Sequence, residues 1–437
     1  MGLENNILEG WIVTTLGDVC ENISRRFNFK QKESVVFVNT GDVLNGKFLH
    51  HNSISKEGLP GQAKKAIEYG DILYSEIRPA NKRYALVDFD SKDYVVSTKF
   101  MVLKKNNKID LNYFYLFLKS SKAIKAFQSH AEARSGTFPQ ITFDTISGDE
   151  LNLPPLPEQK AIAQVLTTFD DKIELLHAQN KTLTTLSQTI FKEWFIDFNF
   201  PNSEKNSYKL SGGRMIENDF GLIPEGWSMK TLEEIADFQN GYAFYTIGYE
   251  SEGKKVVDLL NIDQLGIFKE SPRDKKISLE IYNAEKFKKF HLLKNDLVMA
   301  MTDMTQEMGI LGKCGKIKTS NKFILNQRIG RIRAKEGVNV NFLMVYLNSK
   351  YQINHLKKLS LGTVQKYVNT NHIKEMQFII PSISIMNSFA SIVDDLFKKI
   401  DNNDSQIQSL TKTRDTLLPK LMSGKVRVNN LKQTANA

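Results

Sequence analysis

Apolar residues in the stretch 156–197 recur at alternating spacings of four and three residues. This spacing places them on one face and predicts a long amphipathic helix with a heptad seam. Proline is tolerated at a helix start but not in its interior, so we predict a helix that begins after Pro157 and runs to about residue 197. About 38 residues at 1.5 Å each would make it roughly 57 Å long. The seam is formed by Ile162, Leu166, Phe169, Ile173, Leu176, Leu183, Ile190 and Trp194.

A second apolar series with the same spacing follows Pro381. Each seam is too apolar to face water alone, so each helix needs a partner. We therefore predict that the two helices form a coiled coil. The second seam is formed by Phe389, Val393, Leu396, Ile400, Ile407, Leu410, Leu417 and Leu421, and the polar residues that interrupt the two seams are Asn180, Ser187, Asn403 and Arg414.

The polar seam positions favour an antiparallel pair. If Asn180 faces Asn403, the two carboxamides can bond to each other while the neighbouring layers stay apolar. A parallel pair would set Asn180 against Ile407 and Asn403 against Leu176, and each unpaired amide would cost about 1–3 kcal/mol. We predict that Asn180 and Asn403 fix the register of the helices. The alternative is that each helix is buried in one large core.

The chain also contains an internal repeat. "GWIVTTLGDV" (10–19) resembles "GWSMKTLEEI" (226–235), and "YGDILYSEIRP" (69–79) resembles "LKNDLVMAMTD" (293–303), which in both copies predicts a turn and a buried strand. The stretches 110–127 and 339–356 each have the periodicity of an amphipathic helix.

The repeat predicts an α+β fold of two similar mixed α/β units, related by a pseudo-two-fold repeat and joined by two long antiparallel coiled-coil helices. The polar stretch 201–226 is without periodicity and is typical of a linker. The predicted boundaries are a first unit at 1–153, a long helix at 154–200, a linker at 201–226, a second unit at 227–380, a long helix at 381–428 and a tail at 429–437.

The net charge of +10 indicates a polyanionic partner. The start of the sequence does not have the pattern of a secretory signal, and no apolar run approaches the ~20 residues that span a bilayer. The two cysteines lie far apart and match no metal or redox spacing, which is typical of buried thiols in a cytoplasmic protein.

Motifs for chemistry are weak throughout. The sequence contains neither a GxGxxG nucleotide loop nor a P-loop. "NLPPL" differs at Leu153 from the Asn-Pro-Pro-aromatic site of adenine methyltransferases, and the Asp-x-Lys fragments in "DFDSKDY" and "PRDKKIS" are too short to indicate a nuclease. The seven histidines have no metal-ligand spacing. We therefore expect no catalytic site and no metal site in this chain.

Basic and amide side chains cluster at corresponding places in the two halves, and such side chains can contact phosphates and base edges of DNA. The alternative for any one of them is a solvated surface charge. In the first unit the candidates are Arg25, Arg26, Lys30, Lys32, Arg78, Asn81, Lys82, Arg83, Arg134, Thr137 and Gln140. In the second unit they are Gln239, Asn240, Tyr242, Thr302, Thr305, Gln306, Thr363, Gln365 and Lys366.

Together these features resemble the specificity subunit of a Type I restriction–modification system. The resemblance rests on "LPPLPEQKAIAQVLTTFDDKIELL" (153–176), the "GW...TLGDV" opening of each unit, "SGT....I" before the long helices, and the ending "LLPKLMSGKVRV" (417–428). It covers nearly the whole chain. It is weaker at the second helix, where "PSISIMNSF" replaces the opening that carries prolines and a glutamine.

The resemblance implies two target recognition domains, each reading one part of a bipartite, asymmetric DNA sequence. It also implies that the helices set the gap between the parts and dock two DNA-methylation subunits, with restriction subunits outside them. The chain itself would be non-catalytic and bind no cofactor, and S-adenosylmethionine, ATP and Mg²⁺ would bind to the partner subunits.

Two other interpretations stay open at this point. The chain could be a coiled-coil scaffold that joins two protein-binding modules, or a free-standing Mg²⁺-dependent nuclease. Salt-dependent binding to duplex DNA distinguishes the first from a DNA-binding subunit. Cleavage by the isolated chain would indicate the second.

Overall fold

A computed structural model describes residues 8–134, 136–218, 221–271, 273–305, 307–363 and 365–428. The predicted tail at 429–437 and the candidate Gln306 lie outside the described residues. The chain divides into two compact units. Unit 1 comprises the described residues of Met1–Leu175 and Gln406–Ala437, and unit 2 comprises those of Leu176–Ser405.

Unit 1 consists of short strands with a few helices, after which the chain enters a long helix. Its elements are β1 (Ile12–Thr15), α1 (Leu16–Val19), β2 (Cys20–Asn22), β3 (Ser34–Val38), β4 (Val43–Leu44), β5 (Lys47–Phe48), β6 (Ile54–Ser55), β7 (Ala63–Ala66), β8 (Ile72–Ser75), β9 (Tyr84–Leu86), β10 (Tyr94–Ser97), β11 (Phe100–Lys105), α2 (Leu111–Leu118), α3 (Ser121–Arg134), α4 (Phe143–Ile146), β12 (Glu150–Leu153) and α5 (Leu156–Phe195).

Two four-stranded sheets form the framework of unit 1, in the orders β2-β11-β8-β9 and β6-β3-β10-β7. The pair β10 and β3 is parallel, and the other pairs in these sheets are antiparallel. The central strands β8 and β11 are apolar on both faces, as expected for strands covered on both sides. The larger core of the unit contains Trp11 and Phe127 and includes Leu166 of α5 and Leu421 near the chain end.

Unit 2 repeats the main strands and helices of unit 1 and has additional short elements. It contains β13 (Met215–Asn218), β14 (Gly221–Pro224), β15 (Ser228–Thr231), α6 (Leu232–Ile235), β16 (Ala236–Asn240), β17 (Lys254–Val257), β18 (Lys276–Ile277), α7 (Leu279–Asn283), β19 (Leu297–Ala300), β20 (Thr302–Asp303), β21 (Cys314–Lys316), β22 (Phe323–Leu325), β23 (Ile329–Ala334), α8 (Val340–Leu347), α9 (Lys350–Lys358), β24 (Lys366–Tyr367), α10 (Thr370–Lys374), β25 (Gln377–Ile380) and α11 (Ile383–Met422).

The sheet β16-β23-β19-β21 of unit 2 has the same strand order and directions as β2-β11-β8-β9 of unit 1. The parallel pair β17 and β22 likewise corresponds to β3 and β10. The two units therefore share one framework, which confirms the repeat that the sequence predicts.

The repeated "TL" motif marks a helix start in both units. The hydroxyl of Thr15 donates to Asp18 at 2.8 Å, and the backbone N–H of Thr15 donates to the same carboxylate at 3.1 Å. The backbone N–H and the hydroxyl of Thr231 donate to Glu234 in the same way. This capping box satisfies backbone groups that a helix end leaves unpaired. The motif therefore recurs because each unit needs the same strand-to-helix corner.

The two long helices α5 and α11 each contain 40 residues. Helix α5 begins one residue before Pro157, slightly earlier than predicted, and proline is compatible with this first turn. Both helices are shared between the units. Residues 156–175 of α5 and 406–422 of α11 belong to unit 1, and residues 176–195 of α5 and 383–405 of α11 belong to unit 2.

Within unit 2 the two helices run antiparallel. The amide of Asn403 donates to Oδ1 of Asn180 at 2.8 Å, and the rings of Trp194 and Phe389 lie 5.9 Å apart. Asn180 in turn donates to Asp404 at 2.9 Å. Asn403 is fully buried and Asn180 is 3% exposed. This direction confirms the predicted antiparallel arrangement.

Within unit 1 the segments of the same helices are joined by an ion pair. Arg414 donates to Asp170 at 2.7 Å, and Lys119 of the globular part donates to the other oxygen of the same carboxylate at 2.7 Å. Although burial opposes its charge, Lys119 and Arg414 hold the pKa of Asp170 below its ordinary value. The seam therefore accommodates Arg414 through the neighbouring Asp170.

Substituting Asn403 by leucine should lower the free energy of unfolding of unit 2 by about 1–3 kcal/mol, because Oδ1 of the buried Asn180 loses its donor. The double variant Asn180→Leu/Asn403→Leu should recover much of this loss but no longer select one register. Denaturant unfolding measures the first effect, and the distance distribution between spin labels on Lys181 and Lys399 measures the second. Equal stability of wild type and Asn403→Leu would contradict the role of the pair.

The predicted helices at 110–127 and 339–356 are each interrupted. Helix α2 ends at Leu118 and α3 starts at Ser121, because the hydroxyl of Ser120 accepts a hydrogen bond from the backbone N–H of Ala123 and starts a new helix. Ser349 caps α9 through Gln352 in the same way. Periodicity is unaffected by such a break, because both pieces bury their apolar faces in the same core.

Much of the stretch 201–226 is folded onto unit 2. Strands β13 and β14 form a hairpin, and Phe200 stacks between Tyr208 and Trp227 with ring centroids 4.6 and 4.9 Å away. Aromatic packing of this kind adds to the burial of each ring. Although its composition is polar, this stretch is therefore an ordered connection that packs within unit 2.

Candidate nucleic-acid interface

All three candidate stretches of unit 2 meet at one end of its main sheet. Strand β16 ends there at Asn240, whose side chain is hydrogen-bonded to Thr370 at 2.8 Å. Strand β20 follows β19 and pairs with β24, so that Thr302 lies opposite Tyr367. We call this place the unit 2 edge and define it as residues 239–242, 301–305, 363 and 365–370.

The corresponding end of the main sheet in unit 1 brings two candidate stretches together. The backbone N–H of Arg78 donates to Pro139 at 3.1 Å, and Ile141 donates to Glu76 at 2.9 Å. The guanidinium of Arg78 also reaches the carbonyl oxygen of Thr137 at 3.5 Å. We call residues 76–83, 134 and 136–141 the unit 1 edge. The stretch 25–32 is positioned by strand β7 instead.

The loop after β8 has a constrained backbone. Arg78 and Lys82 flank a short 3-10 turn (Pro79–Asn81) and both have left-handed φ angles, 45° and 55°. Non-glycine residues seldom adopt this conformation, and such strain is often found at binding sites. The side chain of Gln128 accepts a hydrogen bond from Ala80 and holds the turn against α3. The loop therefore presents Arg78, Asn81 and Lys82 outward from a fixed base.

Several candidate cations of unit 1 are bound within the protein. Arg25 forms an ion pair with the buried Asp71, and Lys32 with Asp93. Arg83 donates to the carbonyl oxygens of Gly41 and Val43 at 2.7 and 3.0 Å. These contacts indicate that Arg25 and Arg83 stabilise the fold of unit 1. The candidates with exposed side chains are Arg26, Lys30, Arg78, Asn81, Lys82, Arg134 and Thr137, while Gln140 is half-buried.

In unit 2 the loop after β19 is shaped by a buried carboxylate. Asp303 accepts hydrogen bonds from the backbone and hydroxyl of Thr305 and from the backbone of Ile310, each at 2.8 Å. Although burial opposes its charge, these hydrogen bonds hold the pKa of Asp303 below its ordinary value. Asp303 therefore organises the loop from inside. Thr305 is exposed but engaged with Asp303, and Gln365 and Lys366 are half-buried.

A lysine-rich segment that sequence reasoning missed lies beside Tyr242. The ring of Tyr242 packs against Phe287 at 5.1 Å and Phe290 at 5.7 Å, within the 3-10 helix Glu285–Phe290. This helix carries Lys286, Lys288 and Lys289. The alternation of lysine and phenylalanine in "EKFKKF" was the available signal, since basic and aromatic residues together are typical of nucleic-acid surfaces.

Cys20 and Cys314 are buried and unpaired with each other, and burial raises the pKa of Cys20 to about 12. No group of three or more potential metal ligands occurs in the part of the chain that the structure describes. Over the same residues no helix is long and apolar enough to cross a membrane.

Comparison with known proteins resolves the identity of the family. The model of the Type I restriction modification DNA specificity domain matches residues 8–185 and again residues 224–412. The chain belongs to this family. The two matches coincide with the two halves of the repeat, and each extends into one of the long helices.

Full-length relatives agree with the match. The type I restriction enzyme HindI specificity subunit of Haemophilus influenzae is 35% identical over 463 residues, covering 96% of this chain and 100% of the relative. The MjaIX specificity subunit of Methanocaldococcus jannaschii is 30% identical over 355 residues, covering 76% of this chain and 72% of the relative.

One solved structure also shares the fold. The Type I restriction–modification system S subunit from M. genitalium is 17% identical, with a TM-score of 0.50 and coverage of 96% of this chain and 98% of that chain. At this identity the likeness concerns the fold alone.

Membership of the family confirms that the chain is a specificity subunit, a non-catalytic DNA-recognition component of a type I restriction–modification system. It decides against the nuclease and the protein-scaffold interpretations. The residues at the two edges remain predictions, because family membership does not say which side chains of the specificity subunit touch DNA.

Proposed function

We propose that units 1 and 2 each read one short part of a bipartite DNA sequence, with the unit 1 edge and the unit 2 edge placed against the duplex. The observation that carries this proposal is that separate candidate stretches converge at the same end of the same sheet in both units. Such convergence is expected of a binding surface, since loops on a rigid framework can vary while the framework persists.

The side chains at the two edges differ, which supports an asymmetric target. Glu76 and Met301 occupy corresponding positions after β8 and β19. Two residues further along the chain, unit 1 has the exposed Arg78, whereas unit 2 has the buried Asp303. Arginine suits guanine edges, whereas the amides of Gln239 and Asn240 suit adenine edges. Equal frameworks with different side chains should therefore select different bases.

The long helices, in this proposal, set the unspecified gap and dock two methylation subunits, with restriction subunits outside these. Exposed apolar residues on the helices support a docking role: Leu175 is 51% exposed, Leu186 43% and Ile392 42%. Apolar side chains exposed along a helix indicate a contact surface more strongly than scattered ones do. The complex would act on DNA in the cytoplasm, with S-adenosylmethionine, ATP and Mg²⁺ held by the partners and none by this chain.

Selection from random duplexes by the full-length chain, assembled with its methylation subunits, tests the proposal. We expect enrichment of two short sequence blocks at a fixed separation. The variant Arg78→Ala/Gln140→Ala should relax positions in one block only, at about 1–3 kcal/mol per lost base contact. The matched variant Gln239→Ala/Lys366→Ala should relax the other block only.

Thermal unfolding of each variant controls for loss of structure. Enrichment of one continuous block would contradict two separate readers. Relaxation of both blocks by a substitution in one unit would contradict the assignment of one block to each edge.

A further inference from the structure

Lys99 and Arg328 occupy the same position in the two units. Each immediately precedes the long strand of its main sheet, β11 or β23. The carbonyl oxygen of Lys99 accepts a hydrogen bond from Glu76 at 3.0 Å, and that of Arg328 accepts one from Met301 at 3.0 Å. These backbone contacts establish the equivalence without any likeness of side chains.

In each unit the position is hydrogen-bonded to a residue of the edge. Glu76 also accepts a hydrogen bond from Ile141 of the unit 1 edge, and Met301 accepts one from Val368 of the unit 2 edge. Lys99 and Arg328 are therefore each hydrogen-bonded to the residue that joins two candidate stretches of the edge in the same unit. It stands at the end of the sheet where the candidate base readers are gathered.

Neither cation is neutralised within the protein. Among the residues that the structure describes, the side chains of Lys99 and Arg328 have neither an ion pair nor a hydrogen bond, and both residues are half-exposed. A second equivalent pair on the same strands behaves differently, because Lys104 lies 3.7 Å from Glu68 and Arg333 binds Asp296 at 2.7 Å. Unlike that pair, Lys99 and Arg328 are available to an external anion.

A positive charge is present at this position in both units, whereas the side chains of the two edges differ between the units. A position that reads bases in one unit should differ in the other unit, as the exposed Arg78 of unit 1 differs from the buried Asp303 at the same place in unit 2. A phosphate is the same at every base pair, so a phosphate contact can be the same in both units. We propose that Lys99 and Arg328 are equivalent phosphate anchors, each holding the DNA backbone of its own half-site regardless of sequence. This inference rests on the proposed function of the two edges.

The test compares Lys99→Gln and Arg328→Gln with the wild type in the assembled complex. The probes are a duplex that carries both selected blocks and duplexes with one block scrambled. Loss of one phosphate contact should reduce the slope of log K against log salt by about 0.9 and lower affinity roughly fivefold at 0.15 M salt. The ranking of target sequences should stay unchanged.

Matched controls are available at the opposite ends of the same strands. Lys108→Gln and Lys335→Gln remove exposed charges beyond β11 and β23 and should leave affinity and salt slope unchanged. Arg328→Lys should retain the wild-type slope, because a single charge suffices for a phosphate while a bidentate base contact requires arginine.

Three results would overturn the inference. The first is an affinity of the glutamine variants equal to that of the controls. The second is relaxed specificity at one base position, which would make the residue a base reader. The third is loss of the wild-type slope in Arg328→Lys. A wild-type complex that selects no bipartite sequence would instead contradict the proposed function itself.

Discussion

Inserting one heptad into both long helices should lengthen the unspecified gap of the DNA target by about three base pairs and leave both sequence blocks unchanged. Seven helical residues add about 10.5 Å, and successive base pairs are spaced by about 3.4 Å. The insertions belong between Leu175 and Leu176 and between Ile407 and Gln408. A whole heptad preserves the seam on either side. Selection from random duplexes, or mapping of methylated sites, measures the gap.

The first insertion lies at the boundary between the units and the second lies two residues from it, so the polar pairs that join the helices within each unit are preserved. Asp170 and Arg414 stay together in unit 1, and Asn180 and Asn403 stay together in unit 2. Insertion into one helix alone is the control, because it cannot keep both pairs facing and should destabilise the protein. A gap of wild-type length in the double insertion would show that the helices do not set the spacing.

Replacing Arg25 by alanine should lower the free energy of unfolding of unit 1 by about 3 kcal/mol or more. The carboxylate of Asp71 is 1% exposed, and removing its partner leaves a buried charge uncompensated. Asp71 also accepts a hydrogen bond from the backbone N–H of Glu68 at 2.7 Å, which an asparagine could keep. The double variant Arg25→Met/Asp71→Asn should therefore recover most of the loss.

Denaturant unfolding of the single and double variants measures this effect. Arg26→Ala is the matched control, since the adjacent arginine is exposed and its removal should change stability by less than about 0.5 kcal/mol. Equal destabilisation by Arg25→Ala and Arg26→Ala would contradict the structural role assigned to Arg25. Such a result would return Arg25 to the candidate DNA contacts.

The long helices could be predicted from the sequence because the heptad spacing is a local property. The orientation was also accessible, since only an antiparallel pair lets Asn180 meet Asn403. The further bond from Asn180 to Asp404 was not predictable, because Asp404 lies outside the seam. The breaks at Ser120 and Ser349 were equally hidden, since they leave the apolar periodicity intact.

The sequence indicated the candidate stretches, and their contact with DNA stays a prediction. Clusters of basic and amide residues indicated the loops that now form the two edges. Sequence alone could not distinguish Arg25, which neutralises Asp71, from the exposed Arg78. In unit 2 the equivalent buried Asp296 is paired with Arg333 of β23, whereas Arg25 lies after β2 of unit 1. Alignment of the two halves therefore does not identify the partner of either aspartate.

The equivalence of Lys99 and Arg328 could not be recognised in the sequence for a similar reason. Their equivalence depends on strand pairing and on two backbone hydrogen bonds, whereas the residues around them share little sequence. A motif search has no pattern to find there. Only the register of β11 on β8 and of β23 on β19 brings the two cations into correspondence.

Sequencing of methylated bases in the DNA of cells that carry this specificity subunit and its methylation subunit tests the central claim most directly. The account predicts modified sites with two different short blocks at one constant separation, and modification of one strand in each block. Modified sites that share one uninterrupted block, or whose two blocks occur at variable separations, would contradict it.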